Sequence, residues 1–238
     1  TIKPSNLKNK KIKYKPSKKE IASSSDLIIF DNDDFVVINK PAGIPVQSGT
    51  KSKKNIIDIL NQTKVFEDAT PFTVHRLDKE TTGVMIIAKN RKHAQLFTSL
   101  FRIRKIHKTY LGVTIGLFNK MKGTFIDNLI YYEGKKEIIS KAITNYRVVD
   151  TNKNYSLVRL NPITGRKHQL RRQLLIHENP ILGDSKYRIS DKYKNKKNTL
   201  MLHAYKINFS INDKKYEFTA EPSLYFKKIM SEKYLKIY

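Results

Sequence analysis

Short runs of β-branched and aromatic residues recur along the chain, and helical segments interrupt them at irregular intervals. This pattern constrains the fold more than any other feature. Regular strand–helix alternation would demand a parallel, doubly wound sheet. Irregular interspersion implies an α+β fold with a mixed, largely antiparallel sheet. LIIFDNDDFVVINKP (27–41) reads as a hairpin about the polar cluster Asp31 to Asp34, followed by a loop at Pro41, Gly43 and Pro45. GVMIIAK (83–89) is apolar on both alternating faces and reads as a buried strand. KTYLGVTIG (108–116), AITNYRVVD (142–150) and YSLVRLNP (155–162) read as strands. LMLHAYKINFSI (200–211) and KYEFTAEP (215–222) form a second hairpin about NDKK.

Helices are expected at NIIDILNQ (55–62), RKHAQLFTSLFRI (91–103), TGRKHQLRRQLLIH (164–177) and SLYFKKIMSEKYLKI (223–237). In the second, Leu96, Phe97, Leu100, Phe101 and Ile103 share a helical stripe. In the third, Thr164 is placed as an N-cap. Residues 1–24 read as a basic linker or tail, because the first 20 hold eight Lys against one Glu. Such a segment buries too little surface to offset its ordering entropy. It would be a basic arm on a phosphate backbone or a solvated link to an upstream domain. Residues 25–238 then form one domain, with DKYKNKKN (191–198) as a loop.

The balance of 47 Lys+Arg against 21 Asp+Glu, net +26, points to a polyanion partner, most simply nucleic acid. A general bias toward Lys supplies part of that charge. There is no Cys, which excludes disulfides and thiolate metal sites. No His, Asp and Glu stand at metal-ligand spacing, so no metal is expected. No apolar run approaches the ~20 residues of a membrane span, and no signal segment opens the chain. A cytoplasmic monomer without membrane contact is the expectation.

Three stretches concentrate chemistry. In FTVHRLDKETTG (72–83), Asp78 lies among His75, Arg76 and Lys79. It is either a surface ion pair at a strand entrance or a carboxylate held ionised as a nucleophile or base. In TGRKHQLRR (164–172), Arg166, Lys167, Arg171 and Arg172 crowd the first turns of a predicted helix, against its macrodipole. Either they bind phosphate or they form a solvated face. In RIRKIHKTYLGV (102–113), basic residues run into a strand bearing Tyr110, which suits base stacking as well as an ordinary strand position.

Taken together, these stretches resemble the RluA-type pseudouridine synthases. HRLDKETTG is similar to the signature H-R-L-D-x-x-T-S-G, and INKPAGIPVQ (38–47) to N-K-P-x-G-x-x-V. KTYLGV resembles K-x-Y-x-A-x-V, and LMLHA resembles L-x-L-H-A. TGRKHQLRRQLLIHENPILGDSKY (164–187) is similar to T-G-R-x-H-Q-[IL]-R-x-H … H-P-I-x-G-D-x-x-Y. The motifs keep the family's order. Thr82, Gly112, Gln173 and Asn179 depart from the usual Ser, Ala, His and His. GIPVQSGT and the basic linker look most like the RluC-like branch, which acts on large-subunit ribosomal RNA.

The resemblance implies a pseudouridine synthase fold, its sheet flanked by helices and loops about a central active-site cleft, and an isomerase that needs no redox cofactor or ATP. Asp78 would attack the target uridine, at base or ribose. The glycosidic bond would break, the uracil turn, and a bond form at C5. Tyr110 would stack on the uracil and assist loss of the C5 proton. Arg171 would pair with Asp78, Arg76 would enter the RNA helix in place of the flipped nucleotide, and Leu202 would line the pocket. His75, Lys108, Arg166, Lys167 and His168 are expected RNA contacts. The partner is RNA, ribosomal RNA first and tRNA second. A non-catalytic RNA-binding or ribosome-assembly factor on the same fold would share the charge but would not need Asp78, Tyr110 and Arg171. An S4-like domain, carried by several ribosomal members, finds no room before residue 25 and would be absent or upstream.

Overall fold

The computed structural model describes residues 14–48, 54–134, 136–189 and 199–237. Ten strands form one sheet: β1 (Ile28–Asp31), β2 (Phe35–Lys40), β3 (Phe72–Thr73), β4 (Thr82–Ala88), β5 (His107–Ile115), β6 (Lys122–Glu133), β7 (Lys136–Thr151), β8 (Tyr155–Pro162), β9 (Leu202–Ile211) and β10 (Lys214–Thr219). The order is β1-β2-β4-β9-β5-β8-β7-β6, with β3 beside β4 and β10 beside β9. Every pairing is antiparallel except β4 with β9. The expected α+β class and both expected hairpins are present. Asn32 sets the first hairpin turn by accepting from the Asp34 and Phe35 amides. Asn212 and Asp213, both at positive φ, set the second.

The parallel β4–β9 junction divides the molecule. On one side, β1, β2 and β4 pack with α2 (Ile56–Leu60) and α3 (Arg91–Arg102) around Phe35, Ile86 and Phe97. On the other, β5 to β8 pack with α4 (Gln169–Ile176) and α5 (Leu224–Glu232) around Leu111, Leu157 and Phe226. At the junction Gly83 (φ 110) lies so close to β9 that a Cβ would stand 2.2 Å from the Ala204 carbonyl oxygen. Only glycine permits that approach. The segment 74–81, which carries Asp78, leads directly into this seam.

Three expectations need correction. Within the expected basic linker or tail, residues 18–24 are ordered as a helix, α1 (Lys18–Ser24). Ser17 and Glu20 close a capping box, and Glu20 also binds Tyr14 and pairs with Lys54. The basic segment before residue 14 lies outside the described residues, as does 191–198. α4 starts at Gln169, not behind Thr164. Thr164 instead accepts from the Ile143 amide and donates to Gln169 Oε1 at 2.7 Å, bracing the loop. β6 is a strand beyond those expected, and β7 begins six residues before the expected 142. No helix among the described residues is long and apolar enough to cross a membrane.

Candidate active site

The loop bearing Asp78 is held from three sides. Lys40, fully buried at the end of β2, donates to the carbonyls of Pro41 (2.8 Å), Ile44 (2.9 Å) and Lys79 (3.1 Å). All three ammonium protons are thereby used to tie the Pro41–Ile44 loop to the Asp78 loop. Burial pulls this ammonium down to about 8, against the opposing pull of Glu80 and Asp78. Gly43 N–H donates to the same Lys79 carbonyl at 3.0 Å, and Thr81 N–H to the Asp78 carbonyl at 3.1 Å. Below the loop, Thr82 bonds His203 Nδ1 at 2.8 Å, and His203 Nε2 meets the Ala220 carbonyl at 2.8 Å.

Asp78 and Arg171, ninety-three residues apart, meet as expected: Arg171 Nη1 donates to Asp78 Oδ2 at 3.1 Å. Sequence reasoning missed the residue that holds Arg171. Asp184, its side chain wholly buried, takes Arg171 Nε at 2.7 Å and Nη2 at 2.8 Å, a bidentate pair. Asp184 also accepts the amides of Lys186 (2.8 Å) and Tyr187 (2.9 Å). Burial pushes the Asp184 carboxyl up, but the Arg171 and amide hydrogen bonds outweigh it and hold the carboxyl below its usual range. Burial likewise disfavours the Arg171 cation, and the two carboxylates more than reverse that, Asp184 foremost. The Tyr187 ring lies 5.0 Å from the guanidinium carbon. Arg171 is thus a fixed strut, with Asp184 and Tyr187 clamping one end and the other aimed at Asp78.

The second Asp78 oxygen is less engaged. His168 Nε2 stands 3.7 Å from Oδ1, while His168 Nδ1 bonds the Tyr187 hydroxyl at 2.9 Å. Burial pulls His168 down, opposed by Asp78. The residue has φ 54 just before α4, a left-handed conformation that costs a non-glycine side chain of order 1–3 kcal/mol. Tyr110, half-buried in β5, packs against both cores. Burial, then the Asp78 charge, push its hydroxyl up, so the phenol stays protonated. Asp78 and Arg171 therefore meet beside the seam between the sheet halves, where Tyr110 packs and feels the Asp78 charge. Lys79 is exposed, and among the described residues its ammonium pairs with Glu80 alone, at 3.9 Å.

The other expected residues divide. Arg76 is exposed and has no hydrogen-bond or ion-pair partner among the described residues. Arg166 and Lys167 are exposed in the loop before α4, not in its first turn; Arg171 and Arg172 do occupy that turn, and at Arg171 the Asp184 and Asp78 carboxylates offset the macrodipole. Arg166 Nε donates to the Lys141 carbonyl at 3.2 Å. Lys108 reaches the same loop at Gly165, its ammonium pulled down by burial. Leu202 is 3% exposed and belongs to the second core. His75 faces inward: Nε2 accepts the Ile86 amide at 2.8 Å and the ring stacks on Phe101 at 4.6 Å. It anchors the loop. All four departures, Thr82, Gly112, Gln173 and Asn179, are buried inside the fold, and Gly112 has ordinary clearance for a Cβ.

Burial, with Lys108 second, pulls the His75 imidazole down to about 3. The unfolded chain takes up this proton below ~6.5, while the folded chain resists it and would lose the Ile86 bond. His75 therefore favours the folded state above pH ~6.5, and that contribution fades as the pH falls toward 3. Melting temperature should decline from pH 7 to 5, and His75→Phe should flatten the decline. An unchanged pH profile in the variant would remove His75 from this role.

The sequence profile of the RNA pseudouridylate synthase family matches residues 34–175. The chain is 34% identical to ribosomal large subunit pseudouridine synthase D of Borreliella burgdorferi, over 86% of this chain and 64% of that one. It is 36% identical to ribosomal large subunit pseudouridine synthase C of Rickettsia conorii, over 69% and 57%. It is 32% identical to tRNA pseudouridine synthase C of Haemophilus ducreyi, over 77% and 84%. The structure of human RNA pseudouridylate synthase domain containing 4 superposes with a TM-score of 0.79 at 26% identity, covering 92% of this chain and 98% of that one. The chain belongs to the RNA pseudouridylate synthase family. It spans 64% and 57% of the lengths of the two ribosomal relatives.

Proposed function

We propose that the chain isomerises specific uridines of ribosomal RNA, of the 23S type, to pseudouridine. The observation that carries this reading is the charge chain Asp184–Arg171–Asp78, which ends on a carboxylate 27% exposed beside Tyr110. Arg171 commits one Asp78 oxygen and fixes its direction; Oδ1 remains available to attack the target uridine. The attack labilises the bond from ribose C1′ to N1. The uracil turns, C1′ joins C5, Asp78 is released, the C5 proton leaves and the freed N1 takes one up, so substrate and product have the same atoms. Tyr110 supplies a flat, protonated ring next to the carboxylate, suited to stack on the turning base. A uridine within a stem must first leave its stack, at a cost of a few kcal/mol. Exposed Arg76, two residues before Asp78, offers a guanidinium to fill the gap and meet phosphate.

The ribosomal relatives support the substrate assignment, and the tRNA-acting relative supplies the second reading. Unmodified 23S ribosomal RNA and unmodified tRNA transcripts should be incubated separately with the full chain and pseudouridine mapped chemically. Discrete new sites in the ribosomal RNA are expected. Sites confined to tRNA would transfer the assignment, and none in either would leave only the non-catalytic binder.

A further inference from the structure

The sheet face turned away from Tyr110 carries a second arrangement that the isomerisation does not use. Side chains alternate along a strand, so Tyr110 shares its face with Leu160 and Tyr146, paired across β5, β8 and β7. The opposite face carries Asn145 directly across from Asn161, and Arg147 directly across from Arg159. Like charges opposed on neighbouring strands destabilise a sheet. No carboxylate pairs with either arginine among the described residues. Arg159 Nε is moreover buried without any acceptor. A desolvated guanidinium donor without a partner is costly, and two adjacent guanidiniums match the oxygens of one phosphate.

The amide pair opens into a cavity of about 180 Å³ at the ends of β5 and β8. Ile106, Pro162 and Ile163 form its apolar wall, and Arg104 and Lys108 its basic rim. Asn161 spends its NH2 on the Lys108 carbonyl (3.2 Å) and Thr109 Oγ1 (2.8 Å), which leaves its oxygen as an acceptor. Asn145 spends its oxygen on the Thr124 hydroxyl (2.8 Å), which leaves its NH2 as a donor. One donor and one acceptor side by side complement the edge of a nucleobase. The arginine pair follows one same-face step along the strands, about 7 Å away, within reach of that nucleotide's phosphate.

We propose that this face binds one unpaired nucleotide of the RNA, its base against Asn145 and Asn161 and its phosphate on Arg147 and Arg159. The site lies where β8 runs through Pro162 into the loop of Arg166 and His168, so an RNA strand leaving the catalytic cleft passes it at the end of the sheet. The proposal rests on the reading of the chain as an RNA enzyme and extends it to recognition of sequence flanking the target.

The test uses the full chain, a 23S ribosomal RNA transcript and the single-stranded probes pentauridylate and pentaadenylate. Arg147→Met/Arg159→Met should weaken transcript binding about tenfold at moderate salt and flatten the salt dependence of log Kd by about one unit of slope. Its melting temperature should hold or rise, since like charges are removed. Asn145→Ala should change the ratio of the two probe affinities and leave the salt slope alone. If the double variant misfolds, Arg147→Gln, at an exposed position, carries the same test with a smaller loss. Wild-type affinity and slope in the arginine variants would overturn the proposal. So would displacement of the probes by neither RNA nor phosphate but by polyglutamate, which would assign the face to a protein. Loss of binding in these variants together with no pseudouridine from the wild type would leave the site standing and fail the proposed activity instead.

Discussion

Asp78→Asn is expected to lower pseudouridine formation by at least about 10⁴-fold while leaving the fold and RNA binding in place. An amide cannot serve as the nucleophile, and losses of this order or larger follow removal of an attacking group. The structural cost is small because of how the charges are arranged. Arg171 keeps its bidentate grip on Asp184, and the new side-chain amide would still offer Nη1 an acceptor oxygen. The Asp78 side chain is 27% exposed, so the change strips no buried carboxylate of its partner. A loss within ~1 kcal/mol would move the melting temperature by about 2–4 °C in a chain of this size. The measurement is pseudouridine per transcript at saturating enzyme, beside the melting curve. Equal pseudouridine in variant and wild type at every position would end the catalytic assignment and favour the non-catalytic binder, which has no use for this carboxylate.

What could be read from the sequence was what local patterns encode. β4 is legible because an uninterrupted apolar run has few other solutions, and both hairpins because short polar clusters separate β-rich runs. β6 was invisible for a physical reason. Its outer face bears Ile126 and Ile130, 59% and 43% exposed, beside inward Phe125 and Leu129. Apolar residues at 125, 126, 129 and 130 mimic a helical stripe and hide the strand period. α1 did leave a signal, the capping box of Ser17 and Glu20, but the surrounding Lys content masked it. Motif resemblance brought Asp78, Tyr110 and Arg171 together, and their placement in space needed the fold. Asp184 lies in the matched segment GDSKY, yet sequence does not distinguish a buried carboxylate from a solvated one. The inward turn of His75 was equally hidden, because its acceptor bond to Ile86 depends on how the loop folds back over β4.

Asp184 also changes what Arg171 should do when replaced. Were Arg171 only a partner of Asp78, Arg171→Met would cut turnover and spare the fold. In this structure the substitution strands the wholly buried Asp184 carboxylate, and breaking a buried pair from one side costs ~3–5 kcal/mol. Turnover and stability should therefore fall together, with a drop in melting temperature of about 10 °C. A stability loss alone then cannot mark Arg171 as merely structural. A double-mutant cycle separates the two roles. Asp184→Asn alone should slacken Arg171, reducing turnover more than RNA affinity, since Asp184 touches the chemistry only through the strut. Arg171→Met/Asp184→Asn removes both buried charges while the side-chain oxygen still accepts the Lys186 and Tyr187 amides, and it should recover most of the lost stability, because the site tolerates a neutral amide better than a lone carboxylate. Turnover should stay low, because nothing then orients Asp78. Recovery of turnover along with stability would show that Asp78 needs no guanidinium, and the charge chain would lose its role in catalysis.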